Sequence, residues 1–297
     1  MKTWIFLLIS ATFLPGCTGL AAKKPPLTPE ERLDQAQTLI DKDKPAKAAG
    51  LLKEWIKENP ESPALEQAYN MQAQAEFNRG HYYQSFEAYE KLIDKFNTSK
   101  HFATAVRQEV EIAKLFLAGK KRLVWGFIPA GAKTEGVEIL DKVAEHWPGS
   151  ELGAEALMIQ GDYWYGRGRF MEAQQSYQLV ANFYIKSSHF ERALLRNAEA
   201  THAQYRGTKY DSRCLGEARV RYEQYRARFP ERARQLGIDQ RIEMIDYQLG
   251  EKTDQIARFY RRTHKDSAAE YYWKDVQRHW PASPWSQIAQ ENLQKSP

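Results

Sequence analysis

Two glycine-rich stretches, seven histidines, two cysteines and 38 carboxylates are the groups in this 297-residue chain that could do chemistry. The first stretch runs Gly126-Phe127-Ile128-Pro129-Ala130-Gly131-Ala132-Lys133-Thr134. A phosphate-binding loop needs Gly and Lys adjacent, so that the lysine folds over the phosphates. Ala132 separates them, and no apolar strand ending in Asp follows. The second, Gly166-Arg167-Gly168, is half a dinucleotide fingerprint, and Met171 stands where its third glycine would be. His81, His101, His146, His189, His202, His264 and His279 are scattered, with no His-x-x-x-His pair and no Cys-x-x-Cys, so no metal or other cofactor is expected. His146 and His279 both precede Trp-Pro, which suits a structural role better than a ligand role. Cys214 has no neighbouring base and reads as a small packing residue. Acids alternate with Lys and Arg along helical faces, and nothing selects a carboxylate pair for hydrolysis.

Cys17 is different. It follows an apolar run from Trp4 to Leu14, with Lys2 before it. Eleven residues rise about 16 Å as a helix, too short to span a bilayer and right for a signal sequence. The run ends in Leu14-Pro15-Gly16-Cys17, which resembles the bacterial lipoprotein cleavage box, with Pro15 departing from the usual small residue. That resemblance implies a signal peptide over 1–16 and acyl chains on Cys17. Thr18, rather than Asp, after the cysteine implies sorting to the outer membrane. Residues 17–29, with Pro25, Pro26 and Pro29, read as a lipidated tether.

The elements behind these residues are helices. Apolar positions recur at three and four, as in Leu33, Ala36, Leu39, Ile40 and Ala48, Leu51, Leu52, Trp55. Sustained period-two alternation is absent, so the rest of the chain reads as helix throughout. Stops repeat in one form: Asn59-Pro60, Trp147-Pro148, Phe229-Pro230 and Trp280-Pro281. The stretch from Phe77 to Tyr83 aligns with that from Tyr165 to Met171 at an offset of 88, pairing Gly80 with Gly168 and, further on, Tyr89 with Tyr177. Helix-closing positions then fall at 60, 97, 148, 185, 230 and 281, which reduces to a unit of about 37 residues with insertions. Gly80 and Gly168 suit left-handed turns, and Ala75 and Ala88 permit close helix contact. The expected fold is all-α: tetratricopeptide-like helix–turn–helix repeats stacked into a right-handed superhelical solenoid over 30–297, with 283–295 as a capping helix.

The cleavage box, the tether and units of the form turn-Gly, aromatic, Ala, aromatic, Leu, aromatic, Pro resemble the BamD family of outer-membrane lipoproteins. Phe77 to Phe96 carries the pattern best, and Pro148 to Ala156 and Ile256 to Ala269 share its flavour. This chain is longer, has an insertion at 119–134 and lacks Pro at 97 and 185. The resemblance implies a non-enzymatic, periplasm-facing scaffold. Its partners would be the barrel-assembly core protein and nascent outer-membrane proteins. A repeat adaptor in a peptidoglycan or secretion system stays open beside it, as does an envelope hydrolase.

The chain is 42% apolar and 27% charged, a globular composition. Its net charge of +5 is mild for a nucleic-acid binder, and the signal sequence also disfavours nucleic acid. Residues 186–265 hold 18 basic and 11 acidic side chains, a basic stretch that faces solvent, an acidic partner or an anionic membrane surface. The insertion leaves Trp125, Phe127 and Ile128 without equivalents in other units. They either cover a neighbouring unit or dock a partner.

Overall fold

A computed structural model describes residues 27–125 and 127–295. The signal peptide at 1–16, Cys17 and nearly all of the tether lie outside the described residues. The first helix is capped by Thr28, whose hydroxyl accepts from the Glu31 backbone N–H while the Glu31 carboxylate accepts from the Thr28 N–H. This reciprocal capping starts the first helix at Pro29, inside the stretch assigned to the tether.

Six helix pairs follow among the described residues. They are α1 (Pro29–Asp41) with α2 (Pro45–Glu58), α3 (Leu65–Asn78) with α4 (Tyr82–Lys95), and α5 (Phe102–Leu117) with α6 (Lys133–His146). Next come α7 (Glu151–Gly166) with α8 (Phe170–Phe183), and α9 (Phe190–His202) with α10 (Arg213–Arg228). After the short α11 (Pro230–Gln235), α12 (Ile238–Arg262) pairs with α13 (Asp266–His279), and α14 (Pro284–Gln294) closes the array. Each helix packs on its neighbours in sequence, and two pairs of first helices, α1 with α3 and α5 with α7, also touch. The result is an all-α solenoid of tetratricopeptide-like pairs.

One backbone device ends all six second helices. Asn59, Phe96, Trp147, Tyr184, Phe229 and Trp280 cap them with φ between −122° and −134° and ψ between 44° and 67°. Each helix stops two residues before the closing position read from the sequence. Five of the six caps are aromatic, because the ring plugs the gap to an adjacent first helix. Trp147 meets Phe102 edge-on at 5.5 Å, Phe229 meets Phe190 at 6.4 Å, and the Tyr184 ring lies against Gly153.

A second device turns each pair. Every intra-pair connection turns through a positive-φ residue: Asp43, Gly80, Gly119, Gly168, Gly207 and His264. Five of these connections share one bonding scheme. The residue after the turn donates to the carbonyl five back (Lys44 to Leu39, His81 to Glu76, Lys120 to Leu115, Arg169 to Trp164, Lys265 to Tyr260). Glycine adopts this conformation freely, whereas a side chain is strained there. His264, at φ 55°, makes the last turn without glycine. His264→Gly is therefore expected to raise the unfolding free energy by about 0.5–1 kcal/mol, read as a higher urea midpoint. An unchanged or lower midpoint would show the turn to be unstrained.

The insertion departs from helix throughout. In it β1 (Lys121–Val124) and β2 (Ile128–Gly131) pair as an antiparallel hairpin, with Val124 opposite Ile128 and Lys121 opposite Gly131. Four-residue strands are too short for alternation to show in the sequence. The other insertions are the long α9–α10 connection and the combination of α11 with the 25-residue α12. Pro230 both ends α10 and opens α11, since its missing N–H costs nothing in a first turn.

Candidate functional site

Arg122, in the first hairpin strand, forms an ion pair with Glu135 of α6 at 2.9 Å and lies over the Tyr83 ring of α4 at 5.2 Å. Ala132, where the hairpin rejoins α6, is buried. The base of the hairpin is thus held between the second and third units while its tip projects. Trp125 is 81% exposed, Phe127 73% and Ile128 42%. Trp125 also holds a positive φ of 52°. Trp125 and Phe127 therefore lie mostly in solvent, and Ile128 is less exposed than either.

A polar pocket of about 500 Å³ opens farther along, where α7, α9, α10 and α12 converge. Arg196 lies over the Tyr165 ring at 4.1 Å and donates to Glu199 at 2.8 Å. Arg241 donates to the other Glu199 oxygen at 2.5 Å and lies over Tyr222 at 5.8 Å. His202 bonds Gln248 at 2.9 Å and meets Tyr222 edge-on. Burial works against the Arg196 charge, but Glu199 holds its proton affinity above the usual arginine value. Burial pushes the Tyr222 hydroxyl up. Two guanidiniums therefore share one carboxylate and keep donors for a second acceptor, such as a peptide carbonyl or carboxylate. No motif marked this pocket. Its residues come from four helices, and only the excess of arginine over 186–265 hinted at it.

The motifs weighed for chemistry fall on structural elements. Gly168 is a left-handed turn residue, and the Arg167 and Arg169 guanidiniums lie over Tyr163 and Trp164. The stretch from Phe127 to Thr134 is hairpin and helix start, with no parallel sheet among the described residues. Cys214 is half-buried, and burial pushes its thiol up, away from the reactive thiolate. No described helix is long and apolar enough to cross a membrane.

Neither protein-family models nor curated proteins match the chain. Among solved structures it is similar to the C-terminal part of a tetratricopeptide repeat-containing protein from Cytophaga hutchinsonii. That match has 14% identity, covers 88% of this chain and 87% of the other, and has a TM-score of 0.39. A tetratricopeptide repeat protein from Parabacteroides merdae matches at 13% identity, 90% and 97% coverage and a TM-score of 0.37. PilW, a type IV pilus biogenesis factor, matches at 13%, with 88% and 97% coverage and a TM-score of 0.29. With scores this low, the fold assignment rests on the repeated caps and turns themselves.

Proposed function

We propose that this chain is a lipoprotein scaffold, held on the periplasmic side of the outer membrane by acyl chains on Cys17, that binds proteins rather than transforming a substrate. The observation that carries the binding reading is the exposed apolar hairpin tip of Trp125, Phe127 and Ile128 on a rigid base. The pocket around Arg196 and Arg241 supplies a second, polar contact. The BamD resemblance supports the choice of partners: the barrel-assembly core protein through the tip, and nascent outer-membrane chains at the pocket.

Two measurements test it. Cys17→Ser is expected to move the protein from the membrane to the soluble fraction, because the peptide part has no other anchor in this reading. Membrane retention of that variant would remove the lipid anchor from the proposal. A photo-cross-linker at position 127 is expected to trap a β-barrel protein in cells. Cross-links to peptidoglycan-bound or secretion components instead would transfer the scaffold to another envelope system.

A further inference from the structure

Three helices bring a second cluster together, away from the tip and the polar pocket. Glu90 comes from α4, Glu109 from α5, and Lys142 and His146 from successive turns of α6. His146 Nε2 lies 2.7 Å from Glu90 Oε1, and the Lys142 ammonium pairs with Glu90 Oε2. Glu109 is fully buried; among the described residues no N–H or hydroxyl group donates to its carboxyl oxygens, and its hydrogen-bonding neighbour is the Glu90 carboxyl group. It sits in the core register of α5, between Val106 and Ala113, and points at the Glu90–His146 pair. Donor atoms of Glu90, Glu109 and His146 all lie within 4.8 Å of one another. Two of the three residues are buried and the third is half-buried, so this is not a solvated acidic surface.

A buried carboxyl group is ordinarily satisfied by donors or by a cation. Lys142 forms its ion pair with Glu90 and donates no hydrogen bond to Glu109, which is left facing a second carboxyl group. We propose that Glu90, Glu109 and His146 bind a divalent transition-metal ion of the Zn2+ type, with Lys142 as the exchangeable counter-charge. One imidazole nitrogen and two carboxylates suit Zn2+, with water completing a four-coordinate set. Ca2+ and Mg2+ prefer oxygen donors throughout. Entry is open on one side, since the Lys142 side chain is 47% exposed and swings into solvent without disturbing the core. Coordination moves the Glu90–His146 proton to water, leaving Nε2 free to bind. The ion would join α4 of the second unit to α5 and α6 of the third.

The test uses the mature chain without a histidine tag, stripped with chelator and titrated with ZnCl2 by calorimetry and thermal unfolding. One ion per chain and a raised melting temperature are expected, and X-ray absorption should show a mixed nitrogen and oxygen shell. Glu109→Gln, nearly isosteric, should weaken Zn2+ at least about tenfold, the minimum for loss of a ligand when outer-shell changes alone cost that much. His146→Gln, at a less buried site, should do the same if the first variant fails to fold. Lys142→Gln should tighten binding by removing the competing charge. No binding by the wild type, or equal binding by the wild type and both ligand variants, would overturn the proposal. So would a Glu109→Gln chain that is more stable than a wild type indifferent to Zn2+, since Glu109 would then be a neutral buried acid.

Discussion

Gly161→Ala is expected to lower the unfolding free energy by about 2–3 kcal/mol, against its helix propensity. Gly161 lies within α7, where alanine ordinarily gains about 1 kcal/mol over glycine. A Cβ there would stand 2.5 Å from Tyr177 Cε1, 2.8 Å from Cδ1 and 2.9 Å from Cζ. These are contacts that the ring must move to relieve. Tyr177 is fully buried, and its hydroxyl donates to Asp162 at 2.6 Å and accepts from Arg196 at 3.3 Å. Arg196 in turn stacks on Tyr165 and holds Glu199, so moving the ring disturbs the wall of the polar pocket. Gly50→Ala is the matching control. Gly50 lies within α2, and nothing stands within 4 Å of a Cβ built there. That variant should gain up to about 1 kcal/mol. Urea denaturation followed by far-ultraviolet circular dichroism reads both. Midpoints that rise together would mean that α7 and α8 do not approach as closely as Gly161 and Tyr177 require.

The contrast shows which parts of this molecule were legible in its sequence. The ends of the second helices could be placed because Pro or an aromatic residue marks each one, and the caps share one backbone conformation for that reason. Gly80 and Gly168 revealed two turns. Asp43 and His264 perform the same turn without glycine and left no sign. Small residues were expected at the helix contacts, and Ala75 and Ala88 are buried there. A further small residue of that pair is Ala73, fully buried, whose carbonyl accepts from the Ser85 hydroxyl at 2.8 Å. Its counterpart at an offset of 88 is Gly161, so the repeat register held the clue to the packing. The Glu90–Glu109–His146 cluster was hidden because each helix contributes one or two of its members, and Glu90 and His146 are 56 residues apart. One local signal existed. Glu109 falls on the stripe of Ala105, Val106, Ile112, Ala113 and Phe116, a position where a charge needs a reason.

Replacing Trp125, Phe127 and Ile128 together by Ser should leave the melting temperature unchanged and abolish partner capture. Stability is insensitive because the three side chains are already in solvent, while the hairpin is held lower down by Arg122, Glu135 and Tyr83. Surface changes away from packed features usually alter stability by less than about 0.5 kcal/mol. Binding is sensitive for the same reason. Anchors that enter a pocket on the partner can contribute more than about 2 kcal/mol each, so losing the set should weaken the complex at least about a hundredfold. Capture from detergent-solubilised membranes, beside thermal unfolding of the same preparations, separates the outcomes. A melting temperature that falls by several degrees would mean that the tip packs on the solenoid. An unchanged temperature with full capture would move the docking surface to the pocket between Arg196 and Arg241, where Arg241→Gln then becomes the decisive variant.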